Sequence, residues 1–365
     1  MTTAGGTVDA AAVAASGLPN AHRLASRPLD QDAFALLLSA CGQHRVLGLL
    51  GSAVRDGAFP VTDEQRTQLE SLWQGWLAHG VRVERVLLDV LATLEREQVK
   101  GLTLKGVALA HTSYPDPSAR VFGDVDVLVA PGRLNHAARI LVEAFGAARA
   151  EPELRPGFDD RFGREVLVRV RTIEVDLHRT FVNGAYGTRI DLGSLFETPE
   201  QVMIGGRLVE VLAPNDRLMH SAYGSTLSDW PPRLVAYRDL AQIIAHDDPP
   251  LEAMLARASA WRAEAVLATG ITNAWRALRL TDRPPLLEWA ERYRPTRFDR
   301  ALMAGSRGPA RGYTSQLTSV LSIPGLSARL AFLGAIAWPS REYRSARHLG
   351  RFGLLGAGVT RARRR

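Results

Sequence analysis

Residues 104–129 read LKGVALAHTSYPDPSARVFGDVDVLV, and the end of that stretch, FGDVDVLV at 122–129, decides the fold. Side chains alternate faces along a β-strand. Asp124 and Asp126 therefore share one face, while Val125, Val127 and Val129 share the other. A second stretch, TIEVDLH at 172–178, repeats the pattern: Glu174, Asp176 and His178 on one face, Ile173, Val175 and Leu177 on the other. If these strands neighbour each other in one sheet, three or four carboxylates converge. Like charges that close repel by several kcal/mol at an effective dielectric of about 20. A hard divalent cation relieves the repulsion, and Mg²⁺ favours carboxylates supplemented by waters and phosphate oxygens. Two such ions can activate an attacking hydroxyl and steady a leaving pyrophosphate. The plainer alternative is an exposed acidic face on an edge strand, which the alternating valines also permit.

The surroundings support a small mixed module. VKGLTL (99–104) reads as a strand, and Lys105-Gly106 then opens a short helix that ends near Tyr114. A helix N-terminus offers unpaired N–H groups to a phosphate. Gly106 would let the backbone come close, and Lys105 adds a point charge. It is one of only two lysines, with Lys100. YPDPSAR is a loop by its prolines. Arg120, four residues before Asp124, could grip a phosphate with a bidentate fork or neutralise the acids. Pro131 starts a helix through about Phe145, EVLVRVR and TIEVDLH are strands joined by a tight turn near Arg171-Thr172, and GGRLVEVLAP (205–214) is a last strand and exit loop.

On both sides the period is helical. The expected organisation is a flexible leader over 1–19, a helical region over 20–98 with Thr62-Asp63 as a cap, an α/β core over 99–214, a second helical region over 215–340 and a basic tail over 341–365. His220 lies in one of the helical stretches, and Trp230, Trp261 and Trp275 read as core anchors.

Taken in order, Leu-Lys-Gly at 104–106, Tyr-Pro at 114–115, Arg120, Asp-x-Asp at 124–126 and Glu-x-Asp-x-His at 174–178 resemble the polymerase-beta-type nucleotidyltransferase superfamily. The closer resemblance is to its bacterial nucleotidyltransferase-like family, over roughly residues 99–245. It implies an α+β fold with a small mixed sheet and flanking helices. It also implies an enzyme that moves an NMP from an NTP, ATP by expectation, to a hydroxyl of a small molecule, peptide or protein, with Mg²⁺ as two ions. Members of the family often lie beside natural-product genes. By the same resemblance Asp124, Asp126 and Asp176 hold the metal, Asp176 doubles as base, and Lys105, Gly106 and Arg120 contact the nucleotide. Glu174, His178 and His220 are candidates for supporting or acceptor contacts. Lys-Gly stands where much of the superfamily has Gly-Ser. The rival readings are a non-catalytic binding or regulatory protein on the same fold, and a toxin-like enzyme acting on tRNA or protein.

Composition narrows the partners. The 365 residues carry a formal net charge of +7, and eight arginines against Glu342 beyond residue 340 account for all of it. A neutral body argues against long nucleic acid, whose binding needs clustered cations. The arginine tail and the apolar LAFLGAIAW (330–338) before it allow a weak contact with a membrane surface or a protein. That run is far short of the roughly 20 residues a span needs. One cysteine, Cys41, excludes an intrachain disulfide and fits the cytoplasm. Zinc-type Cys/His spacing, a Walker loop and a Gly-x-Ser-x-Gly elbow are all missing from the sequence.

Overall fold

The structure is a computed structural model and describes residues 9–22, 24–228, 232–305, 320 and 322–348. Trp230 and the tail beyond residue 348 lie outside the described residues. Four helices lead in: α1 (Ala10–Ala15), α2 (Gln31–Gln43), α3 (Leu47–Arg55) and the 34-residue α4 (Asp63–Arg96). Then come β1 (Gly101–Thr103), α5 (Lys105–Thr112), β2 (Val125–Val129), α6 (Leu134–Phe145), β3 (Ala148–Arg149), α7 (Phe158–Arg161), β4 (Glu165–Val170) and β5 (Ile173–His178). The hairpin β6 (Glu200–Ile204) and β7 (Arg207–Val211) follows. Further helices among the described residues are α8 (Pro214–Tyr223), α9 (Leu234–Asp247), α10 (Leu251–Ala260), α11 (Glu264–Leu278), α12 (Pro285–Arg292), α13 (Arg297–Gly305), α14 (Leu326–Ala337) and α15 (Arg341–Ala346).

The fold is α+β. Its strands form one mixed sheet in the order β3-β4-β5-β2-β1-β7-β6. The central strand β2 runs parallel to β5 and antiparallel to β1. In the β2–β5 register, Val125 faces Val175, Asp126 faces Asp176 and Val127 faces Leu177. The edge-strand alternative is therefore wrong for the acids, since β2 and β5 are both interior.

The two sheet faces follow the alternation in the sequence. The valine face of β2 and β5 packs with Val83, Val86, Leu87 and Val90 of α4 and with Leu141 of α6. α4 starts as its sequence predicts: the Thr62 side chain accepts from the Gln65 N–H, and the Gln65 side chain accepts from the Thr62 N–H. On the opposite face, Leu102, Leu104 and Leu128 join a second core. That core mixes helices from both ends of the chain, with Phe34 and Leu50 beside Leu240, Ile243, Trp261 and Trp275.

Two expectations change. The leader is expected to lack fixed structure, but its described part contains a packed helix. Asp9 caps α1 by accepting from the Ala11 and Ala12 N–H groups, and Val13, Ala14 and Ala15 are buried. The buried Arg238 guanidinium of α9 donates to the carbonyls of Ala14 at 2.8 Å and Ser16 at 2.6 Å. Alanine is the best helix former, and its small side chain lets α1 sit close to α9, but composition does not reveal a partner. The last strand starts at Arg207, because Gly205 and Gly206 form the tip of a hairpin with φ of +54° and +82°. Consecutive positive φ values suit the tight hairpin turn for which Gly-Gly is favoured. Among the described residues, no helix is long and apolar enough to cross a membrane.

Candidate active site

The β2–β5 register sets two carboxylates side by side on the face turned from α4. Asp126 is only 5 % exposed, and its Oδ1 accepts from Lys105 Nζ at 2.7 Å and His178 Nε2 at 2.7 Å. Burial works against its charge, but Lys105 and His178 prevail and hold the carboxyl well below the usual range. Asp176 has the opposite balance: burial, then the negative charges of Asp126 and Glu165, push it up to about 7. Asp126 thus has a cation partner in Lys105, whereas Asp176 has no ion pair among the described residues. Ligand atoms of Asp126, Asp176 and His178 lie within 4.8 Å of one another. Adjacent hard oxygen donors of this kind fit a divalent ion such as Mg²⁺. Asp124, just ahead of β2 and about a third exposed, lines the same cleft, with Arg45 Nη1 3.9 Å from its Oδ1.

His178 supports Asp126 from behind. It is buried, and burial, then the Lys105 charge, lowers its pKa. The neutral ring donates from Nε2 to Asp126, the arrangement that orients a carboxylate ligand. Glu174 is not brought to the cleft. It is exposed and pairs with Arg169, its cross-strand neighbour, at 2.7 Å. Sharing a face with Asp176 is not enough, because residues two apart along a strand are separated by roughly 6.5 Å.

Lys105 and Gly106 lie at the start of α5, which has no side-chain cap. Lys105 has φ of +45°, a left-handed conformation that costs a non-glycine residue on the order of 1–3 kcal/mol and persists where surrounding contacts hold it. The Asp126 contact does so. Burial opposes the ammonium charge, but Asp126 outweighs it and the pKa rises. Gly106 serves packing as well as the cleft: a Cβ there would fall 2.6 Å from Phe122 Cβ. Gly106→Ala is therefore expected to lower stability by about 1–3 kcal/mol by overpacking. Urea unfolding measures this, and an unchanged midpoint would contradict the contact.

Arg120 lines the cleft without presenting a free fork. Its Nε and Nη2 donate to Asp239 Oδ1 and Oδ2 at 2.7 and 2.8 Å, and Nη1 donates to the Val121 carbonyl. The Tyr114 hydroxyl donates to the same Asp239 Oδ1 at 2.8 Å. Tyr114, Arg120 and Asp239 thus bolt the proline loop to α9. His220 of α8 is buried at the cleft, its ring 4.4 Å from that of Phe181. Burial, then Lys105 and His178, lower its pKa well below the ordinary value, so it stays neutral.

The cleft, about 270 Å³, also gathers residues that sequence reading passes over: Arg45, Arg164, Arg233 and the serines 221, 225 and 228. Arg45 sits in the turn between α2 and α3, far from any motif. The serines are on α8 and on a π-helical turn, Gly224–Ser228. Such wide turns cluster at functional sites, and the Gly-Ser start of this one was the available signal.

Residues 30–279 match the model of a family described as uncharacterised nucleotidyltransferase. A search of curated proteins gives no match. Among solved structures, the chain is similar to ANT(2'')-Ia in complex with adenylyl-2''-tobramycin at 17 % identity and a TM-score of 0.36, covering 49 % of this chain and 97 % of that one. It is similar to an antigenic nucleotidyltransferase-like protein from Paracoccidioides brasiliensis at 16 % identity and a TM-score of 0.36, covering 56 % and 96 %. A tRNA-processing enzyme aligns at 12 % identity and a TM-score of 0.24, covering 76 % and 79 %.

Proposed function

The chain belongs to this nucleotidyltransferase family, and from that membership we propose that it transfers the NMP of an NTP, ATP by preference, to a hydroxyl of a small molecule, peptide or protein, with Mg²⁺. The observation that carries the reading is the in-register pair Asp126 and Asp176, with Asp124 at the mouth of the same cleft. Asp124, Asp126 and Asp176 would hold the metal, which supplies charge neutralisation at the carboxylates and phosphates and acidifies the attacking hydroxyl.

The acceptor oxygen forms a bond to the α-phosphorus, and the bond to the α–β bridging oxygen breaks. Pyrophosphate leaves with that electron pair, and Asp176 takes the hydroxyl proton. Lys105, Gly106 and the uncapped first turn of α5 face the phosphates, with Arg45 and Arg164 adding charge from the cleft wall. His178 keeps Asp126 in position, and Arg120 acts on the cleft through Asp239. His220 and the serines of α8 and the π-helical turn line the space left for an acceptor.

A thermal-shift experiment tests the nucleotide and metal together. ATP with Mg²⁺ at about 100 times the dissociation constant is expected to stabilise the native chain by about 2.7 kcal/mol. ATP with chelator, or Asp124→Asn with ATP and Mg²⁺, is expected to give little shift. Equal shifts in all three would remove the metal from the reading. ATP labelled on the α-phosphate, incubated with cell extract, then shows whether label moves to small molecules, protein or RNA.

A further inference from the structure

A second cavity, of about 460 Å³, lies away from the carboxylate cleft, between the chain leaving β5 and helix α14. Its size falls within the roughly 300–1,000 Å³ usual for small-molecule sites. The wall is largely apolar, with Phe162, Val182, Ile323, Ala328 and Phe332. The aromatic part is held firmly: the Phe332 ring meets that of Phe162 edge-on at 5.3 Å and stacks on Phe158 at 5.7 Å.

Two cations, Arg161 and Arg179, line this apolar space. Arg179 is half-buried and donates from Nε to the Gly163 carbonyl at 2.6 Å. Among the described residues, neither arginine forms an ion pair. The nearby carboxylates are engaged elsewhere: Asp159 pairs with Arg149, and Asp160 accepts from the Asn135 backbone N–H at 2.9 Å and its Nδ2 at 3.1 Å. Half-burying a guanidinium with no carboxylate in direct contact is costly. Burial lowers the pKa of Arg179, and the nearby charges of Asp159 and Asp160 offset only part of that effect. An anionic group entering the cavity would relieve that cost and would bring its own apolar portion against the phenylalanines.

We propose that this cavity binds an anionic amphiphile, with its carboxylate or phosphate head on Arg161 and Arg179 and its hydrocarbon body between Phe162, Val182 and Phe332. Binding here is independent of nucleotidyl transfer. It is measured on the full chain without ATP, by titration calorimetry below micelle-forming concentrations. Decanoate and decyl phosphate are the probes, and decanol is the neutral control of equal chain length. Comparison of the two acids shows which head group the arginines accept better.

At least one acid is expected to bind the native chain tenfold or more tightly than decanol. Arg179→Met should remove that preference, and Arg161→Met, at an exposed position, should reduce it. Ala328→Phe, which fills the cavity, should weaken acid and alcohol alike by tenfold or more. Decanol binding as tightly as both acids, acid binding that survives Ala328→Phe, or no binding by either acid would each overturn the assignment.

Discussion

Asp176→Asn is expected to lower the rate of nucleotidyl transfer by about 10³-fold or more, on the scale seen when a preorganised charge is removed from a reacting centre. The same change is expected to leave the metal-free protein at least as stable as the native one. Asp176 stands beside the ionised Asp126 with no ion pair among the described residues, and burial and that neighbour push it up to about 7 against the weaker pull of Lys105. An amide of the same shape removes like-charge repulsion without leaving a cavity. Opposite signs on activity and stability are what a functional carboxylate produces; a structural one would lose both. Steady-state transfer of α-labelled phosphate and unfolding in chelator read the two effects. Retained transfer would sink the proposed chemistry, while a large fall in stability would make Asp176 a framework residue.

Asp239→Ala should have the largest effect on stability, a loss of about 3–5 kcal/mol, because it leaves a buried guanidinium without its partner. Arg120 and Asp239 are 7 % and 6 % exposed. Their fork ties the loop after α5 to helix α9, and the Tyr114 hydroxyl shares it. The double variant Arg120→Met with Asp239→Leu should recover most of the loss, since apolar side chains of similar volume can replace a buried pair. It also decides a point about the nucleotide. If Arg120 acts only through Asp239, the recovered protein keeps its transfer activity per folded molecule. If Arg120 grips a phosphate directly, the double variant folds and binds ATP weakly. Chemical denaturation and ATP titration separate these outcomes.

Part of the candidate cleft is legible in the sequence. The valine–acid alternation at 124–129 and 173–178 is a period-2 signal, and the structure turns it into one apolar and one acidic face of neighbouring strands. Gly106 permits close backbone approach, and it also leaves room for Phe122. Arg120 was visible as a motif residue, but not the target of its fork. Asp239 is 119 residues away, and nothing local distinguishes a guanidinium facing phosphate from one facing a carboxylate on a distant helix. Glu174 shows the limit of face-sharing: two residues before Asp176, its neighbour is Arg169 rather than the cleft.

The sequence by itself determined the local terms: which segments alternate with period 2 or 3.6, which glycines turn the chain, and which carboxylates share a strand face. These depend on backbone geometry and on residues within a few positions of each other. Only the tertiary structure decided that β2 and β5 are adjacent and parallel, that α1 packs against α9, and that Arg45, Arg164 and Arg233 meet at one cleft. Such meetings come from burying helices of both chain ends in a common core, and a hydrophobic driving force that scales with area rather than sequence distance leaves no local mark of which surfaces will join.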